Sequence, residues 1–494
     1  MRFVISTALV VIAINCRSQQ LIATWPLSDP VAYLYFYDDG TLQKDTPIQF
    51  NYRTLNSDAI INSSTGELLF QTNGGVIVNK QFVMLQNGYD LNDPIFNTSV
   101  HNSAGMTESQ GVICLPKKGN TYYVFTLSFT DSLLMSGNGS PDRMYYAVVD
   151  MDADSGRGAI VQKRMPIYKG IMGDCRITAC KHGNGRDYWL VNHGYNNNCY
   201  NKWLVTPDSV YGPFNQCIGT PHIEPDIIGM AKFNEEGSQY VMGSGNGLVN
   251  LMDFDRCTGE FSNYKTINVY PDPLNSGYLS SISGVEFSLS GRYLYFTYYD
   301  YILQYDTWAN PIDNSRIKIA SYDSTYTDSY PFWQIFRMPN NKILIGNYQG
   351  SSASYHIIEQ PDSAGFACNF QKEALGFLWN QLNCRTIPNT ANLKLGALAA
   401  CDTITTTPKS PKGDLNSQIR AFPNPASEWF FVELPNADTE MELTVFNLTG
   451  QLITKKHFVT NTALNAKEWQ NGFYQWSVTE NAKPVAHGKF VVQH

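Results

Sequence analysis

Charge is scarce in this chain. Asp, Glu, Lys and Arg make up 16% of 494 residues, and the formal net charge is -8. No basic run is longer than a pair flanked by polar residues. Neutralising phosphates takes clustered Lys and Arg, so nucleic acid is excluded as a partner. After residue 18 no segment is long and apolar enough to span a bilayer. The cysteines never adopt C-x-x-C spacing, which argues against a zinc ribbon or a thioredoxin-type site. There is no G-x-S-x-G elbow and no H-E-x-x-H pair. "GSGNG" at 243–247 lacks the Lys and the following helix of a phosphate loop. Helical periodicity is nearly absent as well.

What remains is aromatic and turn-rich. Tyr 30, Phe 26 and Trp 9 suit pleated, half-buried surfaces, and Gly 37 with Pro 24 supply turns. The chain opens with Arg2 and the apolar stretch "FVISTALVVIAI", Phe3 to Ile14. That reads as a secretory signal over residues 1–18, with Cys16 and Ser18 as the small-x-small pair before the cut. The other reading is a lipoprotein anchored at Cys16, for which Asn15 is a poor neighbour. Export places the remaining cysteines where disulfides persist. Spacing suggests the local pairs Cys175–Cys180, Cys199–Cys217 and Cys368–Cys384, and Cys114 in "GVICLP" reads as a buried thiol.

From residue 19 to 402 one kind of unit recurs. "INSSTGELLFQTNGGVIVN", "LPKKGNTYYVFTLSF", "ITACKHGNGRDYWLVNHGY", "MAKFNEEGSQYVMGSGNG" and "GVEFSLSGRYLYFTYY" each carry an apolar strand, a Gly or Asn turn, and a second strand rich in Tyr, Val or Leu. Comparable turns return about every 50 residues, as propeller blades do. The reading is all-β: a six- or seven-bladed β-propeller over 19–402, with seven reached if "AYLYFYDDGTLQ" completes the last blade. A pair of β-sandwiches is the alternative. Residues 403–418 are low in apolar side chains and read as a linker. From 419 to 494, "EWFFVEL", "MELTVFNLTGQLITKK" and "NGFYQWSVTENAKPVAHGKFVVQ" fit a small antiparallel β-sandwich.

That last module resembles the type A C-terminal sorting domain of the Bacteroidetes type IX secretion system. Phe422, Pro423, Asn424, Pro425, Ala426 and Ser427 match its opening motif. Val445, Phe446, Asn447, Leu448, Gly450 and Gln451 match its hairpin. Trp469, Gly472 and Tyr474 match its next segment, with Trp where Leu is usual, and Lys489 precedes the final β-run. The resemblance implies export through that machinery to the outer surface or medium, with removal of the tail on arrival. The body resembles, less sharply, a propeller common in proteins with such tails, which implies a fold and no reaction.

Several residues are candidates for chemistry. Asp150, Asp152 and Asp154 alternate as the first ligands of a calcium loop do, but Ser155 stands where Gly is needed and Val161 where Glu is needed. Calcium is the one cofactor the sequence raises; a solvated turn is the alternative. His182, Arg186, Asp187 and His193, with His222, Glu224 and Asp226, are acid–base or metal candidates, or structural histidines at turns. Glu286, Asp300 and Asp306 are possible members of a carboxylate pair for glycoside hydrolysis, or ordinary strand-edge acids. "YLYFTYYDYILQYDTW" at 293–308 either stacks on a carbohydrate or peptide, or packs between blades. The first functional reading is a secreted or surface-attached binding module that engages an extracellular glycan or protein. A secreted enzyme acting on glycans or peptides and a structural surface-layer component stand beside it.

Overall fold

The computed structural model describes residues 19–27, 32–45, 52–93, 105–130, 140–222, 229–269, 282–322, 332–348, 354–376, 386–402, 420–433 and 441–494, a few single positions within these apart. The expected leader at 1–18 and the expected linker at 403–418 lie outside them.

Between Leu21 and Gly376 the described strands form seven antiparallel sheets in chain order. The first, Leu21–Leu27, Ala32–Tyr37 and Leu42–Lys44, has three strands, as has the second, Ala59–Asn62, Leu68–Thr72 and Ile77–Asn79. The next five have four strands each, spanning Val112–Lys169, Thr178–Cys217, Ala231–Asn268, Ile282–Ser321 and Phe332–Gly376. Within each sheet, neighbours in sequence are neighbours in space, so each is a simple meander.

Burial orders every four-stranded sheet from inside to outside. "VICLP", "ISGVEF" and "FWQIFR", first strands of their sheets, are buried almost throughout, whereas the fourth strands "AIVQKRMPIYK" and "FQKEALG" are largely exposed. A first strand near a common axis and a fourth on the rim is the arrangement of propeller blades. Apolar clusters fill the spaces between successive sheets. Ile61, Phe70, Val112 and Val149 join blades two and three, and Leu127, Ile177 and Leu190 join three and four. Trp189, Tyr240 and Met252 join four and five, and Tyr295, Ile335 and Ile358 join six and seven.

The ring closes between first and last blades. Trp25, Leu34 and Phe36 share a core with Tyr355, Ile357 and Leu375, and Lys44 Nζ donates to the Gly376 carbonyl. Among the described residues the blade number is seven, but not by the expected route. "AYLYFYDDGTLQ" belongs to its own sheet, because Leu21–Leu27 pairs with Ala32–Tyr37, and the last blade supplies all four of its strands.

The two ends of the ring differ. The turn end carries tight hairpins such as 117–120, 234–238, 288–292 and 338–342. The other, the crossover end, is where the strands ending at Ser128, Cys217, Asn268 and Ser321 stop and those beginning at Arg143, Ala231, Ile282 and Phe332 start.

After the last blade the chain comes back to the axis and runs along it from the crossover end. Ile387 N–H donates to Gln334 Oε1 (3.0 Å), and Tyr355 O–H donates to the Thr386 carbonyl (3.0 Å). Asn389 then joins three blades. Its Nδ2 donates to the carbonyls of Val112 (2.9 Å) and Ile177 (3.0 Å), and its backbone N–H to Asp58 O (2.8 Å). Its Oδ1 accepts from Gln110 Nε2 (3.3 Å), whose side chain also exchanges hydrogen bonds with Ala231. Backbone carbonyls at the inner edge of a ring have no neighbouring strand to pair with, and an amide side chain on the axis satisfies them.

The C-terminal module is a two-sheet sandwich. Arg420–Phe422, Trp429–Glu433 and Asn461–Asn465 form one sheet; Leu452–Phe458, Met441–Asn447, Gly472–Glu480 and Lys483–Val492 form the other. Phe430 from the first stacks on Phe490 from the second at 3.6 Å between ring centres.

Candidate functional site

The opening motif of the C-terminal module closes the sandwich. Pro423 and Pro425 carry no N–H, so the pairing that begins at Arg420–Phe422 stops there. Asn424 then accepts the Val491 N–H at its Oδ1 (2.8 Å). Ala426 N–H donates to Val491 O (2.7 Å), and Gln493 N–H to Ala426 O (2.9 Å). Ala426 is fully buried, so the position takes only a small side chain, while Ser427 is exposed. The motif thus joins the first strand of the module to the last.

The hairpin residues have a different job. Asn447 Oδ1 accepts from Thr449 N–H (3.1 Å) and Gln451 N–H (2.9 Å), which shapes the turn, and Gly450 supplies the φ of +80° it needs. Leu448 stands at its tip, 65% exposed. Tyr474 is buried beside Trp469 and Phe490, and its hydroxyl donates to Gln470 O (2.9 Å). Gly472 opens that strand, and Lys489 lies on the last one, where partial desolvation lowers its pKa. Sequence reading missed Gly488. It faces Trp476 across the ladder, and a Cβ there would meet the indole at 2.8 Å. Gly488→Val is expected to destabilise the module by about 1–3 kcal/mol. A thermal melt of the full chain should show the module's transition lowered and the propeller's unchanged.

In the propeller the predicted candidates scatter. Asp150, Asp152 and Asp154 sit in the turn between the outer strands of blade three, and each is engaged separately. Asp150 Oδ1 accepts the Asp152 N–H (2.9 Å), Asp152 accepts from Asn120 (2.7 Å), and Asp154 pairs with Arg157 (2.7 Å). Among the described residues no three His, Cys, Asp or Glu side chains come together as metal ligands.

His182 and His193 are at opposite ends of blade four, divided by Tyr188–His193. A strand of that length spans about 17–20 Å, so the expected pair is split. His182 packs on Trp189, where burial lowers its pKa, and Asp187 holds Arg186 at 2.7 Å. His193 instead meets His222, with ring centres 4.9 Å apart. Asn250, which sequence reading missed, contacts His222 Nε2 (2.7 Å) and Tyr200 O–H (2.8 Å) and accepts from Tyr264 O–H (3.0 Å). All of His193, Tyr200, His222 and Asn250 are buried, and the network ties blade four to blade five. Glu224 and Asp226 lie outside the described residues.

The three acids do not converge either. Glu286 pairs with buried Lys232 (3.5 Å) and accepts the Arg337 N–H (3.0 Å); burial pushes the Lys232 ammonium down to about 8. Desolvation raises the pKa of Asp300, and the Arg292 guanidinium lowers that of Asp306.

Where it forms strands the aromatic run is buried almost throughout on both faces, so alternation does not divide it. Tyr293, Tyr295, Tyr298 and Tyr305 are core residues. Its last member, Trp308, is 70% exposed on the turn end. The Arg292 guanidinium lies 4.9 Å from its ring and is held by Asp306 through Nε (3.0 Å) and Nη2 (2.8 Å). Asp306 Oδ1 also accepts the Trp308 backbone N–H (3.0 Å). Phe366, 78% exposed, is carried by the loop that joins this blade through Asp362–Ser290 and Gly365–Gln304.

Of the proposed disulfides Cys199–Cys217 forms, between directly paired residues. Cys175–Cys180 does not. Both are buried thiols. Cys368 is a buried thiol and Cys384 lies outside the described residues, while Cys114 is buried as read. The second bridge is Cys257–Cys401.

Comparison with known proteins places a secretion system C-terminal sorting domain at residues 420–493. No curated protein matches the chain. Among solved structures, a putative 6-phosphogluconolactonase from Bacteroides fragilis matches at 11% identity and a TM-score of 0.42, over 76% of this chain and 97% of that one. One from Bacteroides uniformis matches at 12% identity and 0.43, over 74% and 99%. The Cps50 (Swd1) β-propeller domain of Myceliophteria thermophila matches at 9% and 0.36, over 64% and 88%. These likenesses are loose, and the fold rests on the sheet order itself. The sorting domain marks a secreted or cell-surface protein served by type IX secretion machinery. Among the described residues no helix is long and apolar enough to cross a membrane.

Proposed function

We propose that this exported propeller is a binding module that takes a neutral glycan on the platform around Trp308. The observation that carries the reading is one exposed indole fixed in place: Arg292 lies over its ring, and Asp306 holds both Arg292 and the Trp308 backbone. The flat ring offers a stacking surface, and its N–H and the Arg292 Nη1 offer donors for hydroxyl groups. Because Asp306 balances Arg292, the platform is close to neutral, which favours an uncharged sugar over an acidic one. It sits on turns rather than beside a strand edge or an apolar groove, the features through which extended or helical peptides are recognised. The axis, which in an open ring would offer a cleft, is lined with satisfied amides around Asn389.

The test is a mixed panel of neutral oligosaccharides and peptides presented to the full chain. Oligosaccharide binding is expected, and Trp308→Ala should weaken it by about tenfold, equivalent to about 1.4 kcal/mol. Affinity should be the same with and without calcium, because Asp150, Asp152 and Asp154 are engaged separately. Retention of peptides alone, or equal glycan binding by Trp308→Ala, would sink the proposal.

A further inference from the structure

We propose that residues 386–401 are a latch that seals the propeller axis and uncouples it from events at the tail. The upper part of this segment is fixed at the crossover end by Thr386, Ile387 and Asn389. Its lower part is fixed just as densely. Asn392 pairs in parallel with Cys180 and donates to Glu235 O (2.9 Å). Lys181 Nζ donates to Leu393 O (3.1 Å), Arg256 Nη2 to Gly396 O (2.7 Å), and Leu398 N–H to Gly183 O (2.7 Å). The segment therefore runs the length of the ring, from blades seven and two at one end to blades four and five at the other.

Its last tie is covalent. Cys401 is bridged to Cys257, in the hairpin between Leu248–Phe254 and Phe261–Asn268. The stretch that leads to the sorting domain starts two residues later. Apart from the stacking of Phe473 on Phe214 of blade four (4.8 Å between ring centres), a pull on the tail therefore reaches the blade-five hairpin through the disulfide before it reaches any hydrogen bond that ties the segment to the blades. A cut within 403–418 leaves the whole segment in place. The bridge closes a loop with a sequence separation of 144, so it removes much freedom from the unfolded chain and keeps the segment's end from peeling away. Opening it takes two electrons and two protons, which a dithiol such as dithiothreitol supplies while closing to its own disulfide.

The experiment is trypsin digestion and thermal melting of the full chain, oxidised, beside Cys257→Ser. Lys409 and Lys412 lie in the stretch before the tail, and Lys394 is an exposed site within the latch. In the oxidised protein the tail should be released with the propeller's melting temperature unchanged and Lys394 protected. In Cys257→Ser, cleavage at Lys394 should be about tenfold faster, since it follows the population of the open form. The propeller should also melt roughly 5–10 °C lower. If the variant does not fold, native protein reduced after folding answers the same question. Cys199→Ser, treated alike, assigns the effect to Cys257–Cys401. Equal cleavage at Lys394 and melting within about 1 °C, in the variant or after reduction, would overturn the proposal.

Discussion

Cells making a chain that ends at residue 418 are expected to keep the protein inside the outer membrane. The propeller should keep its fold and lose only the stacking of Phe473 on Phe214, because its apolar clusters and the sorting module's cluster share no member. The module is a complete sandwich in which Asn424 and Ala426 clamp the last strand through Val491 and Gln493. A shorter deletion that removes only the last strand should therefore act like loss of the whole module, since Lys483–Val492 is paired along its length with Gly472–Glu480. Fractionation followed by immunoblotting is the measurement. Unchanged amounts outside the cell would contradict the role of the sorting domain.

Asn389→Ala is expected to be among the most damaging single changes in the propeller. Removal of the amide strands the carbonyls of Val112 and Ile177 and frees one donor of Gln110, all deep in the ring. Buried polar groups left unsatisfied cost about 1–3 kcal/mol each, so a loss of about 3–5 kcal/mol is expected after partial relaxation. Denaturant unfolding of the full chain reads it as a lowered midpoint with an unchanged slope for the propeller transition. Asn389→Asp should be no better, since a carboxylate has no donor for either carbonyl. A loss below about 1 kcal/mol would show that the axis is held by something other than this side chain.

What could be read from the sequence was what is local in it. Hairpin turns such as "KKGN" and "NEEGS" announce themselves through Gly and Asn. The sorting motif was legible for the same reason, although its mechanical role was not, because Asn424 and Val491 meet only through the fold. The route to seven blades was hidden because a three-stranded blade and a completed four-stranded one leave the same trace of apolar runs. The latch was hidden because nearly every hydrogen bond that holds it has a backbone group on one side, which leaves no mark on the residue that offers it. Cys257–Cys401 joins residues far apart in sequence, whereas closeness in number made no bridge of Cys175 and Cys180. His193 was predicted to matter beside His182, but strand geometry gave it His222 instead.

Both ends of the propeller chain leave from the same side. Gln19 and Gln20 are tied to Asp39 and Asp38 in the turn between Ala32–Tyr37 and Leu42–Lys44, and Cys401 is tied to the blade-five hairpin. The molecule thus has a handle and a far face. Whatever grips the protein by its tail grips the side that holds Trp308, and leaves the strand ends at Ser128, Cys217, Asn268 and Ser321 on the far face. A partner fused to either terminus would crowd the indole platform and leave the opposite face clear.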